Sequence, residues 1–165
     1  MPTLSASILK QERLSKMLSY QKASTSDVEE IYCLTKRLID DYEDKASIDY
    51  DKVLSWVRGK IEASIGEYTA VYKDGAKVGY YHFYKNDNGK YELDDLYVFD
   101  EYRNNGIGTQ IIKECISSVD EAVMLYVFAK NVRAISLYKS LGFKITKTVH
   151  ETRYIMQYNK KTSQI

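Results

Sequence analysis

The stretch Tyr91–Thr109, YELDDLYVFDEYRNNGIGT, decides how this chain is read. Leu96-Tyr97-Val98-Phe99 is apolar and aromatic, which is good strand material. Arg103-Asn104-Asn105-Gly106-Ile107-Gly108-Thr109 then leads into a segment with apolar residues at 107, 111, 112, 115, 116 and 119, the spacing of a helix. A helix start leaves backbone N–H groups unpaired, and its dipole favours an anion there. Glycines at 106 and 108 remove side chains from that point, so a diphosphate can approach the N–H groups closely. The stretch therefore predicts a strand, a loop and a helix that together cradle a pyrophosphate.

Two familiar phosphate motifs fit badly. A P-loop needs Lys and then Ser or Thr after its second glycine, whereas Gly108 is followed by Thr109-Gln110. The dinucleotide fingerprint needs a third glycine or alanine where Ile111 stands. A lone Gly-x-Gly also fits an ordinary tight turn. The second half of the chain adds to it. The strand-like Val123-Met124-Leu125-Tyr126-Val127-Phe128 precedes Asn131-Val132-Arg133-Ala134-Ile135-Ser136-Leu137-Tyr138-Lys139-Ser140-Leu141-Gly142-Phe143, with Asn131 placed to cap a helix and Gly142 to stop it.

With those residues in place the chain resembles the GNAT superfamily of N-acetyltransferases. Arg103-x-x-Gly106-x-Gly108 is similar to that family's acetyl-CoA pyrophosphate motif. Asn131-x-x-Ala134-x-x-Leu137-Tyr138-x-x-Leu141-Gly142-Phe143 is similar to its next conserved block, and the likeness extends over residues 17–158. The resemblance implies a mixed α/β fold, the acyl-CoA N-acyltransferase fold. In it a central, twisted, mostly antiparallel sheet of six or seven strands is flanked by about four helices.

The rest of the chain supplies compatible elements. Met17–Lys22 alternates like a strand, and Ser26-x-x-Glu29 reads as a capping box before a helix through Val28, Ile31, Leu34, Thr35, Leu38 and Ile39. A second helix is expected over Tyr50–Ala63, with Val53, Leu54, Trp56, Val57 and Ile61 as its apolar side. Strands follow at Tyr68–Tyr72 and Lys77–Tyr84 around Asp74-Gly75, and Asn86-Asp87-Asn88-Gly89 turns into the next. A final pair is expected near Lys144–Val149 and Arg153–Tyr158. Residues 1–16 read as an N-terminal extension, with a short helix through residues 8–14, and residues 17–160 as one domain.

Composition bounds the function. The 24 Lys plus Arg nearly balance 23 Asp plus Glu, which argues against a dedicated nucleic-acid binder. Cys33 and Cys115 both fall in apolar helical patterns and read as buried free thiols. His82 and His150 lie far apart, so no metal site is expected. No apolar run at the N-terminus has signal-peptide or membrane-span length, so a cytoplasmic protein without membrane attachment is expected. The sixteen tyrosines read as strand residues with hydroxyls at the surface.

Amide formation from a thioester and an amine needs a held cofactor, a neutral amine, a stabilised oxyanion and a proton for the thiolate. The resemblance places acetyl-CoA against Arg103, Asn104, Asn105, Gly106, Ile107, Gly108 and Thr109, and against the backbone of Tyr97 and Val98. One backbone N–H there faces the thioester carbonyl. The turn propensity of Asn104 and Asn105 is the plainer reason for their presence. Asn131 is implied as a further cofactor contact, with helix capping as its rival role. Tyr138 is implied as the acid that protonates the thiolate. Asp94, then Asp95, is implied as the base, a water chain being the alternative. Neighbouring strand residues point to opposite faces, so both acids reach one site only if a bulge intervenes.

Asp40-Asp41-Tyr42-Glu43-Asp44 with Asp49 and Asp51 forms an acidic stretch between the first two helices, which reads as a solvated loop or as a lip attracting a cationic amine. The expected function is direct acetyl transfer to a small polyamine-like or aminoglycoside-like amine. A protein amino group is the alternative acceptor, and a non-catalytic acyl-CoA-binding module is the alternative class. Many relatives of this kind form homodimers.

Overall fold

The computed structural model describes residues 6–9 and 17–161. Seven strands carry the chain: β1 (Leu18–Lys22), β2 (Tyr68–Lys73), β3 (Ala76–Lys85), β4 (Tyr91–Val98), β5 (Val123–Phe128), β6 (Lys144–Val149) and β7 (Arg153–Tyr158). Four helices join them: α1 (Val28–Tyr42), α2 (Tyr50–Ser64), α3 (Ile107–Ser117) and α4 (Val132–Ser140). The strands form one sheet in the order β1-β2-β3-β4-β5-β7-β6. Every pairing is antiparallel except β4 with β5. This mixed α/β architecture is the one the sequence implied. Of the helix expected over residues 8–14, residues 8 and 9 are helical and the rest lie outside the described residues.

Turn chemistry explains the hairpins. Asp74 and Gly75 both adopt positive φ, 51° and 80°, as a two-residue hairpin turn of the type I′ class requires. The first helix begins differently from the expectation. Its box is built by Ser24 and Asp27 around a 3₁₀ turn at Thr25–Asp27, two residues before the predicted Ser26-x-x-Glu29. Asp27 is the better partner because Lys77 and the Tyr80 hydroxyl hold it, at 2.8 and 2.7 Å. A tertiary contact thus selects between two local caps.

Both faces of the sheet are covered. Ile107, Ile111, Ile112 and Cys115 of α3, with Ile135 of α4, pack on Leu93, Val123, Leu125 and Val127. Ile31 and Ile39 of α1 and Leu54, Val57 and Ile61 of α2 pack on Tyr68, Tyr80, Tyr97 and Phe128 on the opposite face. Each of α1, α2 and α3 buries one stripe at i, i+3 or i+4 spacing. Cys33 corrects the expected burial: it is exposed, because α1 buries 31, 35 and 39 and position 33 falls off that stripe, whereas Cys115 is buried. Trp56 is likewise 66% exposed instead of packed inside, since α2 buries 54, 57 and 61. Among the described residues no helix is long and apolar enough to cross a membrane.

Strand β4 positions the site through two irregularities. Its pairing with β3 runs Tyr80 to Tyr97 and then His82 to Asp94, so Asp95 and Leu96 stand against Tyr81 alone. Asp95 has φ of 50°. This is a β-bulge, and it reverses the inside-outside alternation of the strand. Leu93 packs with α3 and α4 while Tyr97, four residues on, packs with α1 and α2. The second irregularity is on the other edge. β4 and β5 pair only at Tyr91–Val123 and Glu92–Met124, and beyond these residues the two strands part.

Candidate active site

Two cavities open where β4 and β5 separate. One, of about 340 Å³, lies against the glycine loop and the start of α3 and α4. The other, of about 370 Å³, lies under α1 and α2. They share Leu38, Leu96, Tyr97, Asn131, Ala134 and Tyr138. Tyr138 therefore stands at the junction of two chambers, the arrangement a two-substrate transfer needs.

The first cavity is centred on the glycine loop and the start of α3. Gly106 caps α3 with φ of 75°, a conformation that favours glycine. Arg103, Asn104, Gly106, Ile107, Gly108 and Thr109 line the cavity, as do Tyr97, Val98 and Asn131. A Cβ on Gly108 would stand 3.7 Å from Leu137 and 3.9 Å from Val98, so fold packing alone does not demand glycine there. Arg103 ties the loop to its strand, donating from Nε to the Val98 carbonyl at 3.2 Å and pairing with Asp100. Phe99 N–H bonds to β3 through Val78 at 2.9 Å, so by strand alternation the peptide groups of Val98 face the opened edge. Gly79 permits this packing: a Cβ there would lie 2.0 Å from the Tyr97 carbonyl oxygen. A helix N-terminus, an arginine pair and an open strand edge fit a diphosphate with an amide-bearing arm.

Most of the residues that the sequence reading named for the cofactor come together around this cavity, and Asn105 does not. The Asn105 side chain folds onto the carbonyls of Tyr102 and Arg103, at 3.1 and 3.3 Å, and lies outside the cavity lining. Asn131 caps α4, accepting from the Ala134 N–H at 3.2 Å, while also lining both cavities. Arg133 was missed: it lines the cavity and donates to Asn104 Oδ1 at 2.7 Å, tethering the loop to α4.

The second cavity is lined by residues of α1, α2 and α4 and of three strands. Its acids are Glu92, Asp94 and Asp95. The bulge does what two adjacent acids on one strand required and turns both Asp94 and Asp95 toward α1 and α2. Lys60 of α2 meets Asp94 at 2.5 Å. Burial works against the Lys60 ammonium, but Asp94, Asp95 and Glu92 outweigh it and hold its pKa above the ordinary lysine value. Asp95 accepts from the Tyr68 hydroxyl, and from the Tyr97 hydroxyl at 3.1 Å. Tyr97 is also bonded to Thr35 at 2.7 Å. Burial, then the charge of Asp94, raises the Asp95 carboxyl to about 6. The tyrosine expectation is thereby corrected: Tyr68, Tyr80 and Tyr97 are buried, with hydroxyls directed at acids instead of at solvent. Burial, then Asp94, pushes the Tyr138 phenol up to about 12, so it is protonated throughout the neutral range.

The acidic lip does not reach this cavity. Asp40 is held by Lys36 and Lys45 at 2.9 and 3.2 Å, Glu43 by Arg153 at 3.0 Å, and Asp44 caps a turn through the Ala46 N–H. Asp41 lines the glycine-loop cavity. Asp40 and Asp44 are thus occupied by neighbours in sequence, and Glu43 by Arg153 of β7. The acids that face the second chamber are those of β4. Among the described residues no group of three or more His, Cys, Asp or Glu is placed to hold a metal ion.

Residues 27–143 match the family model of the acetyltransferase (GNAT) family. The chain belongs to that family. A stretch covering 36% of the chain is 31% identical over 64 residues to the spermine/spermidine N(1)-acetyltransferase of Bacillus subtilis, taking in 42% of that protein. A stretch covering 38% is 38% identical over 68 residues to the thialysine N-ε-acetyltransferase of Mus musculus, taking in 40% of it. The matched stretch thus spans about two-fifths of the length of each curated relative. Among solved structures, an N-acetyltransferase of Thermoplasma acidophilum in complex with coenzyme A superposes with a TM-score of 0.65 at 20% identity, covering 87% of this chain and 99% of that one. The glycine-loop cavity is the candidate donor side and the chamber beneath α1 and α2 the candidate acceptor side. Lys60, Trp56 and Arg153 carry no motif in the sequence, and only the fold brings them to this chamber.

Proposed function

We propose that this protein is an acetyl-CoA-dependent N-acetyltransferase that acetylates a small primary amine by direct transfer in a ternary complex. The observation that carries this reading is the meeting of two cavities at Tyr138, one lined by the glycine loop and the other by the acids of β4. Acetyl-CoA supplies an acyl group already activated as a thioester. Arg103, Gly106, Ile107, Gly108 and Thr109 hold its diphosphate at the start of α3, with Asn104 placed by Arg133 and Asn131 alongside. The Val98 N–H, on the opened edge, stabilises negative charge on the thioester oxygen.

Asp95, its carboxyl raised to about 6, receives the amine proton directly or through water, and the Tyr68 and Tyr97 hydroxyls position it. The amine nitrogen bonds to the acyl carbon, the C–S bond breaks, and Tyr138 donates its hydroxyl proton toward the departing sulfur. The confined chamber suits a small acceptor, in keeping with relatives named for spermine, spermidine and thialysine.

A panel of small amines and peptide N-termini, read by thiol release, tests the reading. Turnover with small amines and little with peptides is expected. Turnover only with peptides would move the acceptor class, and acetyl-CoA binding without any turnover would leave a binding module. Within an active panel, kcat/KM should fall as pH drops through about 6, because Asp95 loses its base form there. Stability moves the other way: the fold raises this pKa, so charging Asp95 costs stability as pH rises from the ordinary carboxylate range through about 6. Asp95→Asn should lower turnover and abolish the acidic limb. An unchanged limb would transfer the base role elsewhere.

A further inference from the structure

The charged groups of the acceptor chamber are separated by sign. Glu92, Asp94 and Asp95 all belong to β4, and Lys60 already occupies Asp94 at 2.5 Å. Arg153 stands on the other side, on β7, with β5 between them in the sheet order. Two strand spacings amount to about 10 Å, and the parting of β4 from β5 adds to that. Arg153 pairs in register with Phe128, and its guanidinium lies 4.7 Å above that ring. It therefore sits on the same face of the sheet as Tyr97 and the β4 acids.

Glu43, only 6% exposed, fixes Arg153 through one Nη2 contact at 3.0 Å, yet the arginine side chain remains 42% exposed. A guanidinium carries five donors in a flat fork that matches a carboxylate. Two exposed aromatic residues line the chamber: Tyr126, 47% exposed, on β5 between the poles, and Trp56, 66% exposed, on α2 beside Lys60.

We propose that the acceptor is a small zwitterion, an alkyl primary amine whose far end is a carboxylate. Its amine lies toward Asp94 and Asp95, its chain along Trp56 and Tyr126, and its carboxylate against Arg153. The proposal rests on the amine-acetylating reading above and narrows it. A polyamine of the same length fits less well, because its second ammonium would meet the Arg153 cation, and Lys60 has already reduced the negative charge at the other pole.

Three acceptors of one chain length separate the cases: 6-aminohexanoate, 6-aminohexanamide and 1,6-diaminohexane. Each is assayed for acetylation and, independently, for binding by calorimetry to the protein saturated with coenzyme A. The carboxylate should exceed the amide by roughly 10- to 100-fold in kcat/KM, the range of a charge-assisted hydrogen bond, with the diamine below both. Arg153→Gln should bring carboxylate and amide within about twofold. Arg153→Lys, which keeps the charge and controls for loss of the Glu43 contact, should retain part of the preference. A flat or reversed order in turnover and binding, or an order that survives in Arg153→Gln, overturns the assignment. The expected binding order without any turnover supports the assignment and overturns the acyl-transfer reading instead.

Discussion

The two chambers on either side of Tyr138 are built from different materials. The donor side is centred on a loop, a helix start and a strand edge within residues 96–109, which offer peptide groups, and residues of α1 and α4 complete it. The acceptor side gathers side chains from α1, α2, β4, β5, α4 and β7, and holds most of its charges in pairs. A site made of backbone depends on conformation and close approach. A site made of side chains depends on which residues distant segments deliver.

Removing the Tyr138 hydroxyl tests whether the two sides cooperate where they meet. Tyr138→Phe should lower turnover by about 10²- to 10⁴-fold, the usual range for a general acid, while acetyl-CoA affinity stays unchanged. Full turnover in a chemistry-limited assay would reduce the junction to a packing contact. Gly79→Ala probes the conformational dependence of the donor edge. Its Cβ would press on the Tyr97 carbonyl, both atoms being main chain or directly attached to it. Denaturant unfolding should register a loss of about 1–3 kcal/mol, with acetyl-CoA affinity falling alongside. An undisturbed variant would mean that β3 and β4 can shift apart without consequence. The smallest effect belongs to the acidic stretch. Asp44→Asn with Asp51→Asn should leave the acceptor KM within about twofold even at low salt, as expected for exposed charges. A severalfold rise that fades with added salt would restore the lip as part of the acceptor side.

The same contrast governs what could be read in the sequence. The glycine loop, the Asn131 cap, the Asp74-Gly75 turn and the strands on either side of them are local statements, and spacing expresses them directly. The bulge at Asp95 was legible only as a condition, since two adjacent acids needed one to serve a single face. Lys60 and Arg153 were not legible. Neither belongs to a motif, and each acquires its role from a partner, Asp94 or Glu43, supplied 34 or 110 residues away. Trp56 and Cys33 were misassigned for a related reason. An apolar residue within a helical pattern is buried only if the stripe it belongs to meets the sheet, and the stripe is chosen by packing. The tyrosine count concealed its meaning in the same way, because a phenol's hydrogen-bond partner is a tertiary fact.

Past Glu92 and Met124 the sheet is divided along one seam, and that seam decides how such a protein can change over time. A ligand recognised by peptide groups at residues 96–98 is indifferent to the side chains mounted there, so long as they keep the strand extended. Substitution can accumulate along this edge without loss of the donor. The opposite wall has less tolerance, since its charges are tied to particular side-chain partners. On the proposed reading, donor use rests on backbone shape, and acceptor choice is the half that a few replacements on α2, β4 or β7 can rewrite.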